Sequence, residues 1–394
     1  DFQKSPTGRV LEIILAGALA NRASDVHLES EASVIKIRFR IDGLLHNVVD
    51  LGRNIYTQIL NRIKLLSNLK LNLPRQPQDG RFTIGLTNKE VEARVSVIPS
   101  EFGETVVMRI LDPEILRISL SDLGLREDDL VIIKEELKEP NGLILNSGPT
   151  GSGKTTTLYA FLKTKQSAEI KIITIEDPIE YHLEGIEQTQ VELADIKAVA
   201  GQERGYDFAN GLRSIMRQDP DVIMVGEIRD KETADTSIQA ALTGHLVFST
   251  VHANDAAGVI PRLVDLGVKP SSIGPALNLV IAQRLVRKLC QACKKPTEIG
   301  AELTSKIAKL LNELPVRVNR SGYEEWKVFA PVGCEKCGQT GYRGRVGIFE
   351  LLKVDAAIEK FINQQVGEAE LYQFALKQGM VTIQQDGLLK VISG

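Results

Sequence analysis

The stretch Gly148-Pro149-Thr150-Gly151-Ser152-Gly153-Lys154-Thr155 constrains this 394-residue chain more than any other, because it reads GxxxxGK[ST] in full. An apolar run at 142–146 precedes it and helix-compatible residues, beginning at Thr156, follow it. Strand, loop, helix is the setting that gives the motif its meaning. Glycines let a backbone turn tightly enough for successive N–H groups to face phosphate oxygens, and the helix start adds its positive end to that cradle. The residues from Gly148 to Thr156 then line the phosphates of a nucleoside triphosphate, with Lys154 reaching the β and γ positions and the Thr155 hydroxyl ligating Mg2+. A Gly-rich turn with a solvated lysine is the other reading of the same letters.

From about residue 126, short apolar runs at 142–146, 170–175, 221–225 and 246–250 alternate with helical spacing. Parallel strands buried on both faces read this way, so residues 126–394 are expected to form an α/β domain ending in helices broken at Gly367, Gly379 and Gly387. Residues 1–112 read as a smaller α+β domain. Helical spacing appears at 10–20 and 54–66, and residues 34–41 alternate, with Ile35, Ile37, Phe39 and Ile41 against Lys36, Arg38 and Arg40. Further strands are expected at 80–86, 90–98 and 105–111. Asp112-Pro113 and the polar stretch 113–125 read as a linker, since a residue before proline is pushed out of the helical region.

A phosphate loop needs a second group on the metal side at the end of a neighbouring strand. The run 221–225 ends in Gly226-Glu227, which makes Glu227 a candidate for the Mg2+ shell. Glu176, Asp177 and Glu180 follow the run 170–175 and share that sheet edge. Glu176 is preferred as the base that orients the attacking water, although spacing leaves open which of Glu176 and Glu227 serves water and which serves metal. His252 follows the run 246–250 and is a candidate γ-phosphate sensor, His245 a lesser one; helix capping or packing is the alternative for each. Arg213 and Arg217, four apart, are expected on one helix face, as functional cations or as a solvated surface.

All four cysteines fall in two CxxC pairs, Cys290/Cys293 and Cys334/Cys337, separated by 40 residues. Four thiolates with none to spare suit tetrahedral structural Zn2+, with a small subdomain at about 288–342 between and around them. Redox chemistry is the rival, but neither pair opens a helix after a strand.

Composition excludes several classes. Lys plus Arg number 48 against 51 Asp plus Glu, a net charge of −3, without the surplus a nucleic-acid-gripping chain carries. No run approaches the roughly 18 uncharged apolar residues that span a bilayer; the richest, 10–20, is interrupted by Glu12. The first six residues lack an initiator Met and the positive-then-apolar order of a signal peptide, and are read as the trimmed start of a cytoplasmic chain.

Together these residues resemble the secretion ATPase family of type II secretion and type IV pilus assembly, the general secretion pathway E and PilB type, across nearly the whole chain. The resemblance rests on Ala23-Ser24-Asp25-Val26-His27, Arg38-Phe39-Arg40-Ile41-Asp42-Gly43 and Asp79-Gly80-Arg81, on the Walker A loop, on the "Asp box" at 174–180, the Walker B stretch at 217–227 and the "His box" at 243–255, and on the paired cysteines. It implies a RecA-like ATPase domain with a zinc-binding insertion, a PAS-like N-terminal domain, and a homo-hexameric ring at the inner face of the inner membrane. It also implies that ATP hydrolysis drives a membrane platform protein and that arginines of the N-terminal domain reach the phosphates. Arg94 and Arg109 match those positions and Arg81 less securely, salt bridges on a strand surface being the alternative. The resemblance favours pilus assembly or secretion over retraction. A nucleic-acid translocase and a nucleotide-gated scaffold without useful turnover are the rival functions.

Overall fold

The computed structural model describes residues 7–191, 206–323, 327–364 and 367–394; the six N-terminal residues lie outside these. The chain divides into two compact units, Asp1–Ile115 and Leu116–Gly394.

The first unit runs α1 (Thr7–Ala20), β1 (Asp25–Ser30), β2 (Ile35–Ile41), β3 (Leu44–Leu51), α2 (Arg53–Leu66), β4 (Gln78–Gly85), β5 (Glu90–Ser100) and β6 (Gly103–Leu111). The strands form one antiparallel sheet in the order β3-β2-β1-β6-β5-β4. Period-two alternation sorts its faces. On β5, Val91, Ala93, Val95 and Val97 are buried, packed with Val10 and Ile14 of α1 and Ile59 and Ile63 of α2. Glu92, Arg94 and Ser96 therefore point to the opposite, polar face.

A 3-10 turn at Pro113–Arg117 crosses the division, and the second unit has another at Leu120–Leu123 that buries Leu120 and Leu123. It continues with α3 (Glu127–Glu136), β7 (Gly142–Ser147), α4 (Lys154–Lys165), β8 (Ile172–Glu176), β9 (Glu187–Gln190), α5 (Phe208–Ile215), β10 (Val222–Val225), α6 (Lys231–Leu242), β11 (Leu246–Val251), α7 (Val259–Asp265), α8 (Pro270–Ala276) and β12 (Leu277–Leu289). The chain then forms β13 (Lys295–Thr297), α9 (Ala301–Glu313), β14 (Val328–Ala330), β15 (Tyr342–Lys353), α10 (Ala356–Asn363), α11 (Glu368–Lys377) and α12 (Ile383–Ile392). The sheet order is β15-β12-β7-β11-β10-β8-β9, parallel except for the β12–β15 pair. Every residue of β7, β8, β10 and β11 is buried, the signature their apolar runs announced. Because these four strands are parallel, the segments that follow them emerge at one edge of the sheet. The P-loop, Glu176, Glu227 and His252 all lie there.

The segment between the cysteine pairs closes on itself through the antiparallel pair β13–β14. Its helix α9 packs Ile307 and Leu310 against Val381, Leu389 and Ile392 in and near α12. Beside them Arg317 reaches Asp129 of α3 at 3.0 Å and Arg126 reaches Asp386 of α12 at 2.9 Å, tying the insertion and the last helix to the start of the unit. Gly367 and Gly379 flank α11, but Gly387 lies inside α12 and breaks nothing.

Candidate nucleotide site and four-cysteine cluster

The loop after β7 has the backbone its glycines were expected to permit, with φ of +90° at Gly153. Its tightness comes from β12, whose register places Ala282 beside Ser147. A Cβ on Gly148 would lie 2.5 Å from the Gln283 carbonyl oxygen, and one on Gly153 would lie 2.8 Å from Gln283 Nε2. Gln283 is buried, and its Oε1 accepts hydrogen bonds from Asn146 Nδ2 at 2.9 Å and Thr157 Oγ1 at 2.8 Å. One amide thus joins β7, α4 and β12 beneath the loop.

Lys154 Nζ donates to the carbonyl oxygens of Gly148, at 2.7 Å, and Pro149, at 3.2 Å. Burial draws its pKa below the usual lysine value, opposed by Glu227 and reinforced by Arg284. Such a cation gains most from an anion delivered into the loop. Thr155 and Thr156 stand half-buried in the first turn of α4. Arg284 hydrogen-bonds the Gln283 and Asn254 carbonyls, at 2.9 and 2.6 Å, so a second cation stands at the loop.

Glu227 and Glu176, each at the end of an apolar strand run, have different surroundings in the structure. Glu227 faces the loop: His252 Nε2 lies 3.8 Å from its Oε2, Arg229 pairs with its Oε1, and Lys154 feels its charge. Asp177 stands 3.8 Å from the same Arg229. Glu176 is 3% exposed and its carboxylate is occupied. Tyr159 of α4 donates to Oε2 at 2.5 Å, while Thr174 Oγ1 and Gln188 Nε2 donate to Oε1 at 2.7 and 3.0 Å. Burial and the neighbouring carboxylate raise the Tyr159 pKa, so the phenol keeps its proton for this bond. His252 is half exposed, its pKa lowered chiefly by burial and by Lys154.

The structure therefore gathers Lys154, Glu227 and His252, with Glu176 in a buried network nearby. His245 immediately precedes β11 at the opposite sheet edge, where its Nδ1 lies 3.0 Å from the Ala240 carbonyl near the end of α6. Arg213 pairs with Glu232 at 2.6 Å on α5, whereas Arg217 falls in the following 3-10 turn, so the two do not share one α-helical face. Glu180 lies in the connection between β8 and β9. Sequence reasoning missed Gln283, Arg284 and Arg229. Arg229 follows Glu227 by two residues, a local signal that the sequence does carry; the first two join the site only through the pairing of β12 with β7.

On the polar face of the first unit, Arg94 of β5 stands directly opposite Arg109 of β6 and Arg81 of β4. Asp25 of β1 stands between Arg109 and Arg40 of β2, which completes a row of five charged residues across five strands.

The four cysteine Sγ atoms lie within 4.8 Å of one another, and none is in a disulfide. The separations are 3.9 Å for Cys290–Cys334, 3.8 Å for Cys293–Cys337 and 3.7 Å for Cys334–Cys337. Tetrahedral metal–sulfur bonds of about 2.3 Å give sulfur–sulfur edges of about 3.8 Å, so the donor set fits a tetrahedral thiolate site. Burial opposes the Cys337 thiolate, but N–H groups of Cys334 and Gly341 point at its sulfur, from 3.2 and 3.3 Å, and bring its pKa down to about 6.

A parallel sheet with a phosphate loop after one central strand and a carboxylate after another defines a RecA-like P-loop ATPase. The chain belongs to the family described as Type II/IV secretion system protein, which matches residues 2–394. It is 43% identical over 390 residues to type II secretion system protein E of Aeromonas hydrophila, covering 99% of this chain and 74% of that one. The type IV pilus assembly ATPase PilB of Myxococcus xanthus is 41% identical over 391 residues, covering 99% of this chain and 66% of its own. Among solved structures, the pilus retraction motor PilT with bound ADP superimposes with a TM-score of 0.58 at 27% identity, covering 96% of this chain and 95% of its own. The chain is an ATPase of the secretion and pilus-assembly family. None of its described helices is long and apolar enough to cross a membrane.

Proposed function

We propose that the chain is a ring-forming homo-hexameric motor that hydrolyses Mg-ATP on the cytoplasmic side of the inner membrane. It powers an inner-membrane platform protein in type IV pilus assembly or type II secretion. The observation that carries this reading is the meeting of Lys154, Glu227 and His252 at the mouth of the loop. Lys154 leaves the loop carbonyls for the β and γ phosphates, and Gly148 to Thr156 line the phosphate chain. Thr155 and Glu227 hold Mg2+, which when bound neutralises phosphate charge. His252 senses the γ-phosphate.

The preference stated from sequence for Glu176 as the water-orienting base is reversed here. Its side chain is buried and three of its roughly four acceptor positions are taken, which leaves little room for an attacking water. Glu227 is the carboxylate placed for water as well as for metal, and Glu176 holds α4 and β9 in place. Arg94 and Arg109 complete the charge around the phosphates. The first unit is PAS-like, a reading supported by its antiparallel sheet with first strand beside last and its two helices on one face.

Single-turnover chemistry tests the motor reading. With protomer in excess over ATP and Mg2+ present, bound ATP should be converted to ADP and phosphate. Recovery of intact ATP after many minutes would identify a nucleotide-gated scaffold instead.

The four cysteines hold structural Zn2+, with no open position for water chemistry. Metal analysis should find a single zinc per chain, and its removal should lower the melting temperature through the insertion and α12. A metal-free chain with freely reactive thiols and the same melting temperature contradicts the assignment.

A further inference from the structure

We propose that Asp25 and Glu92 are positioning residues for ATP hydrolysis, aiming Arg109 and Arg94 by gripping each guanidinium at Nε. The proposal rests on the reading that those two arginines meet phosphate.

Like charges directly opposite on adjacent strands repel. The row Arg40–Asp25–Arg109–Arg94–Arg81 nevertheless sets three arginines side by side on β6, β5 and β4. Two carboxylates divide the row. Asp25 takes Arg109 Nε at 3.3 Å and Arg40 Nε at 3.5 Å; Glu92 takes Arg94 Nε at 3.2 Å and Arg81 Nη1 at 3.7 Å. Among the described residues, these two anions are shared by the four cations. Elsewhere on this face Arg38 and His27 share Glu29, and Lys36 pairs with Glu31.

The grip matters more than the charge. A guanidinium held at Nε keeps its two Nη groups pointing away from the anchor, as the fork that binds phosphate oxygens in parallel. Arg109 meets this description: its Nη groups make no hydrogen bond among the described residues, and its side chain is 55% exposed. Its anchor is the reverse. The Asp25 side chain is 11% exposed, and Ser24 Oγ donates to its Oδ2 at 2.8 Å. A fixed, buried carboxylate beneath an outward-facing arginine reduces the side-chain freedom lost when the arginine engages a phosphate.

The test is a double-mutant cycle on the full chain with Asp25→Asn, Arg109→Ala and the pair, reading kcat and KM for ATP together with the melting temperature. Asp25→Asn should lower kcat by about tenfold with KM little changed. In the Arg109→Ala background the same substitution should change kcat less than about twofold, because nothing remains to aim. An Asp25→Asn loss of equal size in both backgrounds, or no loss where Arg109→Ala is impaired, overturns the proposal. An Arg109→Ala chain with full turnover overturns instead the reading beneath it. Glu92→Gln with Arg94→Ala forms a parallel cycle on a more exposed pair, Glu92 being 31% exposed, so the answer does not hang on the folding of one variant.

Discussion

Lys154→Ala is expected to lower Mg-ATP turnover by about 10²-fold to 10³-fold without unfolding the chain. The side chain is half-buried, belongs to no hydrophobic cluster, and spends its ammonium on two loop carbonyls. Those carbonyls border solvent, so water replaces the lost donor at little cost. The phosphates have no such substitute. Charge developing on the transferred group loses the cation that its loop was shaped to present, while Arg284 is tied to two carbonyls on the strand side. Phosphate release measured beside the far-ultraviolet spectrum and melting temperature separates the outcomes. Unchanged release by a folded variant removes the loop from the mechanism.

Glu227→Gln is expected to retain ATP but lower turnover by about 10²-fold or more, because the amide keeps the shape and loses the base and metal ligand. Glu176→Gln should behave differently. The carboxylate accepts from Tyr159, Thr174 and Gln188, and an amide turns one of its two acceptors into a donor facing other donors. That mismatch is buried and costs about 1–3 kcal/mol, so the melting temperature falls and turnover falls less than for Glu227→Gln. Nucleotide binding, turnover and thermal melts on both variants check the pair. A stable Glu176→Gln chain that binds ATP and has the deeper loss of turnover would return the base to Glu176.

Parts of this site are legible in the amino-acid sequence, and the reason is local. The P-loop carries its chemistry in eight adjacent residues, and β7, β8, β10 and β11 are buried on both faces, so their letters are apolar almost throughout. What escaped depends on pairing between distant segments. β12 runs from a buried half into an exposed half bearing Arg287 and Lys288, which hides its strand signature, and its place beside β7 is what puts Gln283 under the loop. Glu176 and Glu227 each follow an apolar strand run, and partners from distant segments separate them, Tyr159 of α4 and Gln188 of β9 on Glu176 and His252 beside Glu227. Gly387 reads as a helix breaker, yet α12 carries it because packing of Leu389 and Ile392 outweighs a glycine's propensity cost of about 1 kcal/mol. The row from Arg40 to Arg81 is scattered in the sequence and becomes a row through strand register alone.

The central proposal is that loop residues of the second unit and arginines of the first act on one nucleotide in the assembled ring. Turnover by the Arg109→Ala chain, measured beside its affinity for ATP, tests it most directly. Affinity is expected within a few-fold of the parent chain, set by the intact loop, with turnover reduced by about 10³-fold. Wild-type turnover by a chain lacking that guanidinium would contradict it.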